Sequence, residues 1–118
     1  MMMMAILQGA DLAEANLVQA SLGVADLRLA LLVNANLRGV DLKEADLSGA
    51  DLQGVNLQKA NLEEADLRDT NLAGADLRGA NLSSANLTGA NLGNFLRKAK
   101  LKNAILANTI MPDGALHK

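Results

Sequence analysis

Residues 35–59 read Ala35-Asn36-Leu37-Arg38-Gly39, Val40-Asp41-Leu42-Lys43-Glu44, Ala45-Asp46-Leu47-Ser48-Gly49, Ala50-Asp51-Leu52-Gln53-Gly54, Val55-Asn56-Leu57-Gln58-Lys59. Leu returns at every fifth place, with Asp or Asn before it and a small residue before that. The same phase runs outward in both directions, from Leu7 to Leu92, without a gap. Ile6, Ser21 and Leu31 depart from the Asp/Asn position; Val40, Val55 and Thr70 depart from Ala at the small position.

A period of five suits neither common element. On an α-helix, five residues rotate by roughly 500°, so successive leucines drift about 140° and spread around the surface. On a flat strand side chains alternate faces, so an odd spacing sends neighbouring leucines to opposite sides. All the leucines can be buried only if the chain turns a corner in every repeat and always presents Leu inward. The second place after Leu supports this, because Gly9, Gly39, Gly49, Gly54, Gly74, Gly79 and Gly89 recur there, with Asn34 and Asn94. A type II turn needs positive φ at its third residue, and Gly or Asn supplies it cheaply. The small residue points inward with Leu, and the remaining positions point to water. The 15-residue spacing of Val40, Val55 and Thr70 hints weakly at three sides; periodicity alone leaves the number open.

The unit Ala-(Asp/Asn)-Leu-x-x from Ala5 to Asn94 resembles the pentapeptide-repeat proteins. That resemblance implies an all-β fold, a right-handed quadrilateral β-helix of four repeats per coil and about five to six coils. Leu7, Leu27, Leu47, Leu67 and Leu87 would then stack on one face. One solenoid domain is expected over residues 1–114, with regular repeats over 5–94, a register break near 95, shifted repeats over 99–113 and a tail at 115–118. After Leu92 the pattern returns one residue early, which reads as a single deletion near Phe95 with Leu96, Leu101, Leu106 and Met111 inward. Pro112-Asp113-Gly114 is a turn signal that ends the coil, and such an ending is common in the family that the chain resembles.

Composition narrows the chemistry. Half of the 118 residues are hydrophobic, yet Phe95 is the single aromatic and there is no Cys. Disulfides, thiolate metal sites and Cys nucleophiles are excluded. Residues 1–92 carry 12 acidic and 6 basic side chains, and residues 93–118 carry 1 and 5. The N-terminal Met1–Leu7 lacks the basic flank and length of a signal peptide, and no stretch approaches a membrane span. A cytoplasmic, soluble protein is expected. Met1–Met4 and Ile6 either fold over the first coil, pack on another copy, or fray.

Apolar residues at outward places mark the first candidate site: Val18, Val24, Leu29, Leu31 and Val33. They read as a partner or self-association patch, against a local apolar face without a partner. The second is a basic end, Arg97, Lys98, Lys100 and Lys102, suited to an acidic partner. It lacks the interleaved aromatics of a base-stacking surface, so no nucleic-acid partner is expected. The Asp/Asn ladder is read as turn-stabilising, because Asn replaces Asp freely and amides cannot act as acid or base. His117 is too isolated for a metal or catalytic role. No enzyme activity, cofactor, metal or membrane partner is expected. The leading function is structural or protein-interaction, with a homodimer through an uncapped end or the apolar patch. The resemblance implies an alternative, since some pentapeptide-repeat proteins mimic DNA and bind DNA gyrase or topoisomerase.

Overall fold

The computed structural model describes residues 4–93 and 98–118. Its organising contacts are parallel backbone pairings between residues 20 apart: Ile6 with Asp26, Asp11 with Leu31, Asn16 with Asn36, Ser21 with Asp41, and onward to Asn71 with Asn91. Twenty residues hold four repeats, so the coil has the four sides that the family resemblance implies, not the three at which Val40, Val55 and Thr70 hint. The hydrogen bonds explain the pitch. Leu7 N–H donates to Asp26 C=O at 2.7 Å, Gly9 N–H to Arg28 C=O at 2.9 Å, and Asp26 N–H returns to Ala5 C=O at 2.8 Å. This pattern repeats on every side, so each residue lies beneath its counterpart in the previous coil.

We number the sides by their leucines. Side 1 carries Leu7, Leu27, Leu47, Leu67 and Leu87; side 2 carries Leu12, Leu32, Leu52, Leu72 and Leu92. Side 3 carries Leu17, Leu37, Leu57 and Leu77, and side 4 carries Leu22, Leu42, Leu62 and Leu82. Each corner is a four-residue turn closed by a bond such as Ala10 N–H to Leu7 C=O at 2.9 Å. Its third residue has positive φ, for example Gly49 at +71° and Asn34 at +58°. The Asp/Asn before Leu braces the corner. Asp46 Oδ1 accepts from Ser48 N–H at 3.0 Å, and Asn56 Oδ1 from Gln58 N–H at 3.0 Å. These are Asx turns, in which a side-chain oxygen mimics a backbone acceptor.

The core is a stack of leucines lined by alanines. Leu27 through Leu87 in the repeat phase are at most 1% exposed. Each contributes on the order of 2 kcal/mol by leaving water. The small position has little room, but Val40 and Val55 fit, and buried Thr70 donates its hydroxyl to Leu67 C=O at 2.9 Å. Leu7, Leu12, Leu17 and Leu22 of the first coil are only partly buried, and Ile6 is 74% exposed.

The register break differs from the sequence expectation. Asn71 pairs 20 residues on with Asn91, but Asp76 pairs 24 residues on with Lys100, and Asn81 and Asn86 likewise with Ile105 and Ile110. Ala99 N–H donates to Leu92 C=O at 2.8 Å, where a regular corner spans three residues rather than seven. The chain has therefore gained four residues at one corner instead of losing one. Gaining four and losing one leave the same phase in a repeat of five, so the leucine pattern could not separate them. Leu101 and Leu106 continue sides 3 and 4, and Met111 continues side 1. Phe95, Leu96 and Arg97 lie outside the described residues.

Residues 115–118, expected as a tail, include a strand. β1 (Thr109–Ile110) pairs antiparallel with β2 (Leu116–His117), closed through Met111–Ala115. Thr109 is fully buried and donates its hydroxyl to Leu82 C=O at 2.7 Å. His117 Nδ1 lies 3.1 Å from Leu106 C=O. The hairpin covers a strand edge that would otherwise offer unpaired backbone groups.

Leu57 tests the core ladder. Leu57→Ala is expected to fold with a stability loss of about 2–5 kcal/mol, read from the urea midpoint. Leu57→Asp buries a carboxylate without a partner and is expected to abolish cooperative unfolding.

Candidate interaction surfaces

Three of the five apolar candidates share one side. Leu31 lies mid-side on side 2, with Leu29 at the corner before it and Val33 at the corner after it. Leu29 is 61% exposed, Leu31 45%, and Val33 half-buried. Val24, 43% exposed, sits at the corner between sides 4 and 1, and Val18, 41% exposed, at the corner between sides 3 and 4. The five therefore circle the rod within about one coil, and only Leu29, Leu31 and Val33 form a shared surface.

These residues also break local rules. Val24 and Leu29 both stand at φ +61°, the left-handed conformation that Glu14, Gln19, Glu44, Lys59, Glu64 and Ser84 also adopt at this corner position, and one that costs a residue with a Cβ about 1–2 kcal/mol; what sets the two apart is an apolar side chain. Leu31 occupies an Asp/Asn position and has no oxygen to accept from the corner N–H, a bond made by Asp51 on the same side. Leu29 lies across the next coil. A Cβ added at Gly49 would meet its Cδ2 at 2.7 Å, so a glycine beneath is what lets the leucine lie down. Gln8, Arg28, Leu29, Ser48, Gly49 and Asp69 line a shallow depression of about 430 Å³ there.

The basic residues regroup. Lys100 and Lys102 are carried by the lengthened coil onto side 3, beneath Asp76 and Arg78. Arg38, Gln58, Arg78 and Lys102 thus form one column, flanked by Lys59 and Lys100. Arg38, Lys59 and Arg78 are not among the residues that the sequence alone marks, although the 20-residue spacing of Arg38, Gln58 and Arg78 is a usable signal. Exposed Lys98 precedes this side. Side 4 presents Asp41, Glu44, Glu63 and Glu64 with Lys43, and side 2 presents Asp11, Glu14 and Asp51.

Paired charges brace the rod surface. Arg78 contacts Asp76 at 2.7 Å, Arg68 contacts Asp66 at 2.7 Å, and Arg28 contacts Asp26 at 2.8 Å. In each pair the arginine side chain donates to the carboxylate and holds it below its ordinary pKa, with desolvation opposing. Lys100 adds an attraction at Asp76. The Asp/Asn ladder is occupied by corner and arginine hydrogen bonds. Among the described residues, no group of three or more His, Asp or Glu side chains is placed to hold a metal. No described helix is long and apolar enough to cross a membrane.

The geometry, four Asx-braced corners per coil around a leucine stack, defines a class of repeat solenoid. The family model described as pentapeptide repeats matches residues 5–43, 25–59 and 60–94, and the chain belongs to the pentapeptide-repeat family. Its solved members form right-handed quadrilateral β-helices. A pentapeptide repeat protein of the cyanobacterium Cyanothece 51142 superposes with TM-score 0.74 at 32% identity, over 84% of this chain and 65% of that one. Another, from the Arabidopsis thaliana thylakoid lumen, superposes with TM-score 0.65 at 33% identity, over 73% of this chain and 63% of that one. The chain thus spans a little under two thirds of the length of either. QnrB1, a plasmid-mediated fluoroquinolone resistance protein, matches at 21% identity and TM-score 0.36, too loosely to carry an argument. No curated protein matches the sequence.

Val24→Asn removes a β-branched residue from a left-handed position and is expected to stabilise the fold by about 1 kcal/mol, although it deletes an aliphatic side chain. Thermal unfolding checks the sign. The arginine pairs set an acid dependence. Their carboxylates have depressed folded pKa values, so their stabilisation is complete above the ordinary 3.8 and is lost as pH falls below it. An Arg28→Gln, Arg68→Gln, Arg78→Gln variant is expected to lose less stability than wild type on acidification from neutral pH to below that value, as followed by urea titration.

Proposed function

We propose that this chain is a non-catalytic protein-interaction module, a right-handed rod of about five to six coils that docks a partner through the side formed by Leu29, Leu31 and Val33. One observation carries the reading. Leu29 is a bulky aliphatic residue, 61% exposed, at a corner position that is otherwise filled, Val24 apart, by glycine or a polar residue among the described positive-φ corners. A large apolar side chain left exposed among polar neighbours marks a candidate docking position. Leu31 breaks a second rule beside it, since an Asp or Asn there would brace the corner. Family membership is consistent, because pentapeptide-repeat proteins are generally structural or interaction modules. The partner proposed is a protein in the cytoplasm. A second copy of this chain docking through the same side or the half-buried first coil is the homotypic form of the reading.

A DNA-mimicking rod that binds gyrase or topoisomerase is the second reading. The carboxylates of sides 2 and 4 favour it. The cations of side 3 oppose it, because a duplex mimic needs negative potential around its circumference.

In-cell crosslinking and affinity capture decide between them, with wild type beside a Leu29→Ser, Leu31→Asn, Val33→Ser variant. A protein captured by wild type and lost in the variant is the expected result. A topoisomerase among the captured proteins moves the second reading ahead. Equal capture by both chains, or capture of nothing, overturns the docking side.

A further inference from the structure

The rod is electrostatically sided in a way that the linear sequence does not show. Side 3 and its corner carry Arg38, Lys59, Arg78, Lys100 and Lys102 against one carboxylate, Asp76. That is five of the chain's eleven Lys and Arg residues on one of four sides. Part of this charge is spent internally. Arg38 donates to Gln58 Oε1 at 2.7 Å, Gln58 Nε2 donates to Asp76 Oδ2 at 2.9 Å, and Arg78 donates to the same carboxylate oxygen at 2.7 Å. This chain of bonds crosses successive coils and fixes the centre of the face. Lys59, Lys100 and Lys102 are exposed and, among the described residues, belong to no ion pair within 4.0 Å.

Two of these lysines, Lys59 and Lys102, border a depression, and Lys100 stands beside it at mid-side. Gln58, Lys59, Arg78, Gly79, Lys102 and Asn103 line a groove of about 300 Å³. Gly79 opens it. A Cβ at that position would lie 3.4 Å from Lys59 Cγ, so a side chain there would project into the space over which Lys59 leans. The groove therefore presents ammonium groups and the amide of Asn103 over an uncovered stretch of backbone.

We propose that side 3 is a docking face for an extended acidic peptide segment of a partner protein, seated over Gly79 and held by Lys59, Lys100 and Lys102. Charge complementarity selects an anion. Four further arguments select a peptide. A closed dimer with two-fold symmetry would set side 3 against itself, cation on cation, whereas pairing it with an acidic side of another copy is heterologous and builds open chains. No described aromatic side chain stands among the cations to stack a base, and Asp76 places a carboxylate at the centre of the face, against the dense charge of a phosphate backbone. An extended peptide spaces its same-face carboxylates about 7 Å apart, a looser array suited to lysines that stand two coils apart on either side of the Asp76 coil. The face uses none of Leu29, Leu31 or Val33, so the two surfaces succeed or fail separately.

The test uses fluorescence anisotropy with a dye-labelled decapeptide of alternating Glu and Ala, and labelled oligothymidylate as the competing class. Wild type is compared with Lys59→Ser, Lys100→Ser, Lys102→Ser and with a charge-matched control, Lys43→Ser, Arg68→Ser, Lys118→Ser. Thermal melts confirm that each variant is folded. Peptide binding by wild type and control, weakened about tenfold or more in the side 3 variant and weakened by added salt, supports the proposal. Amide shifts at Lys59, Gly79 and Lys102 on titration would place the peptide in the groove. Absence of peptide binding, equal loss in the two variants, or tighter binding of oligothymidylate overturns it. So does self-association by sedimentation that disappears only in the side 3 variant, because the occupant is then a second copy.

Discussion

Everything in this molecule depends on the parallel, in-register hydrogen bonding of each coil to the next. Leu7 N–H to Asp26 C=O, Gly9 N–H to Arg28 C=O and their successors tie residues about 20 apart along the rod. Buried backbone groups must be paired, and a chain that winds upon itself can pair them only by bringing every coil back in register. The pairing also places each side chain in a column with its counterparts 20 residues away. Core, corners and surface are consequences of that column order. The leucines stack because their column is internal, and the position two before them is small because the columns of adjacent sides converge there.

Corners are where the fold sets its local demands and where the chain departs from them. Positive φ is required once per repeat, and Gly, Asn or Asp meets it at low cost at many corners. Along one corner column the residues alternate between large and absent side chains: Leu29 above Gly49, and Asp69 above Gly89. The larger side chain leans over the next coil and needs a glycine beneath it. Val24 and Leu29 put apolar side chains at this corner position, and Leu31 puts one at an Asp/Asn position and gives up a corner hydrogen bond. These departures gather near the N-terminal end, where the first coil's leucines are also half-buried. An apolar end and a basic side thus occupy different parts of one solenoid.

The longer coil after Leu92 shows how a small insertion redistributes surface chemistry without disturbing the core. Four added residues keep the phase of five, so Leu101 and Leu106 still enter the stack. They shift the 20-residue columns, however, and bring Lys100 beneath Asp76 and Lys102 beneath Arg78. Had the coil kept its length, residues 96 and 98 would have stood in those places.

The five-residue period by itself determined that the chain winds as a solenoid, which residues face inward, where corners fall and what the Asp/Asn ladder does. Each of these follows from contacts within one repeat and is written locally. The number of sides was not local: Val40, Val55 and Thr70 pointed weakly to three, the family resemblance implied four, and the 20-residue pairing gives four. The sequence also marked Leu29, Leu31 and Val33 as anomalous, because polar residues were due there. Only the tertiary structure decided that Val18 and Val24 lie elsewhere on the circumference, that the break is a gain of four residues rather than a loss of one, and that residues 115–118 close a hairpin. It alone joined Lys100 and Lys102 to Arg38, Lys59 and Arg78. The physical reason is common to all of them: the coil length converts sequence separation into adjacency, and it is set by backbone pairing between coils rather than by any single repeat.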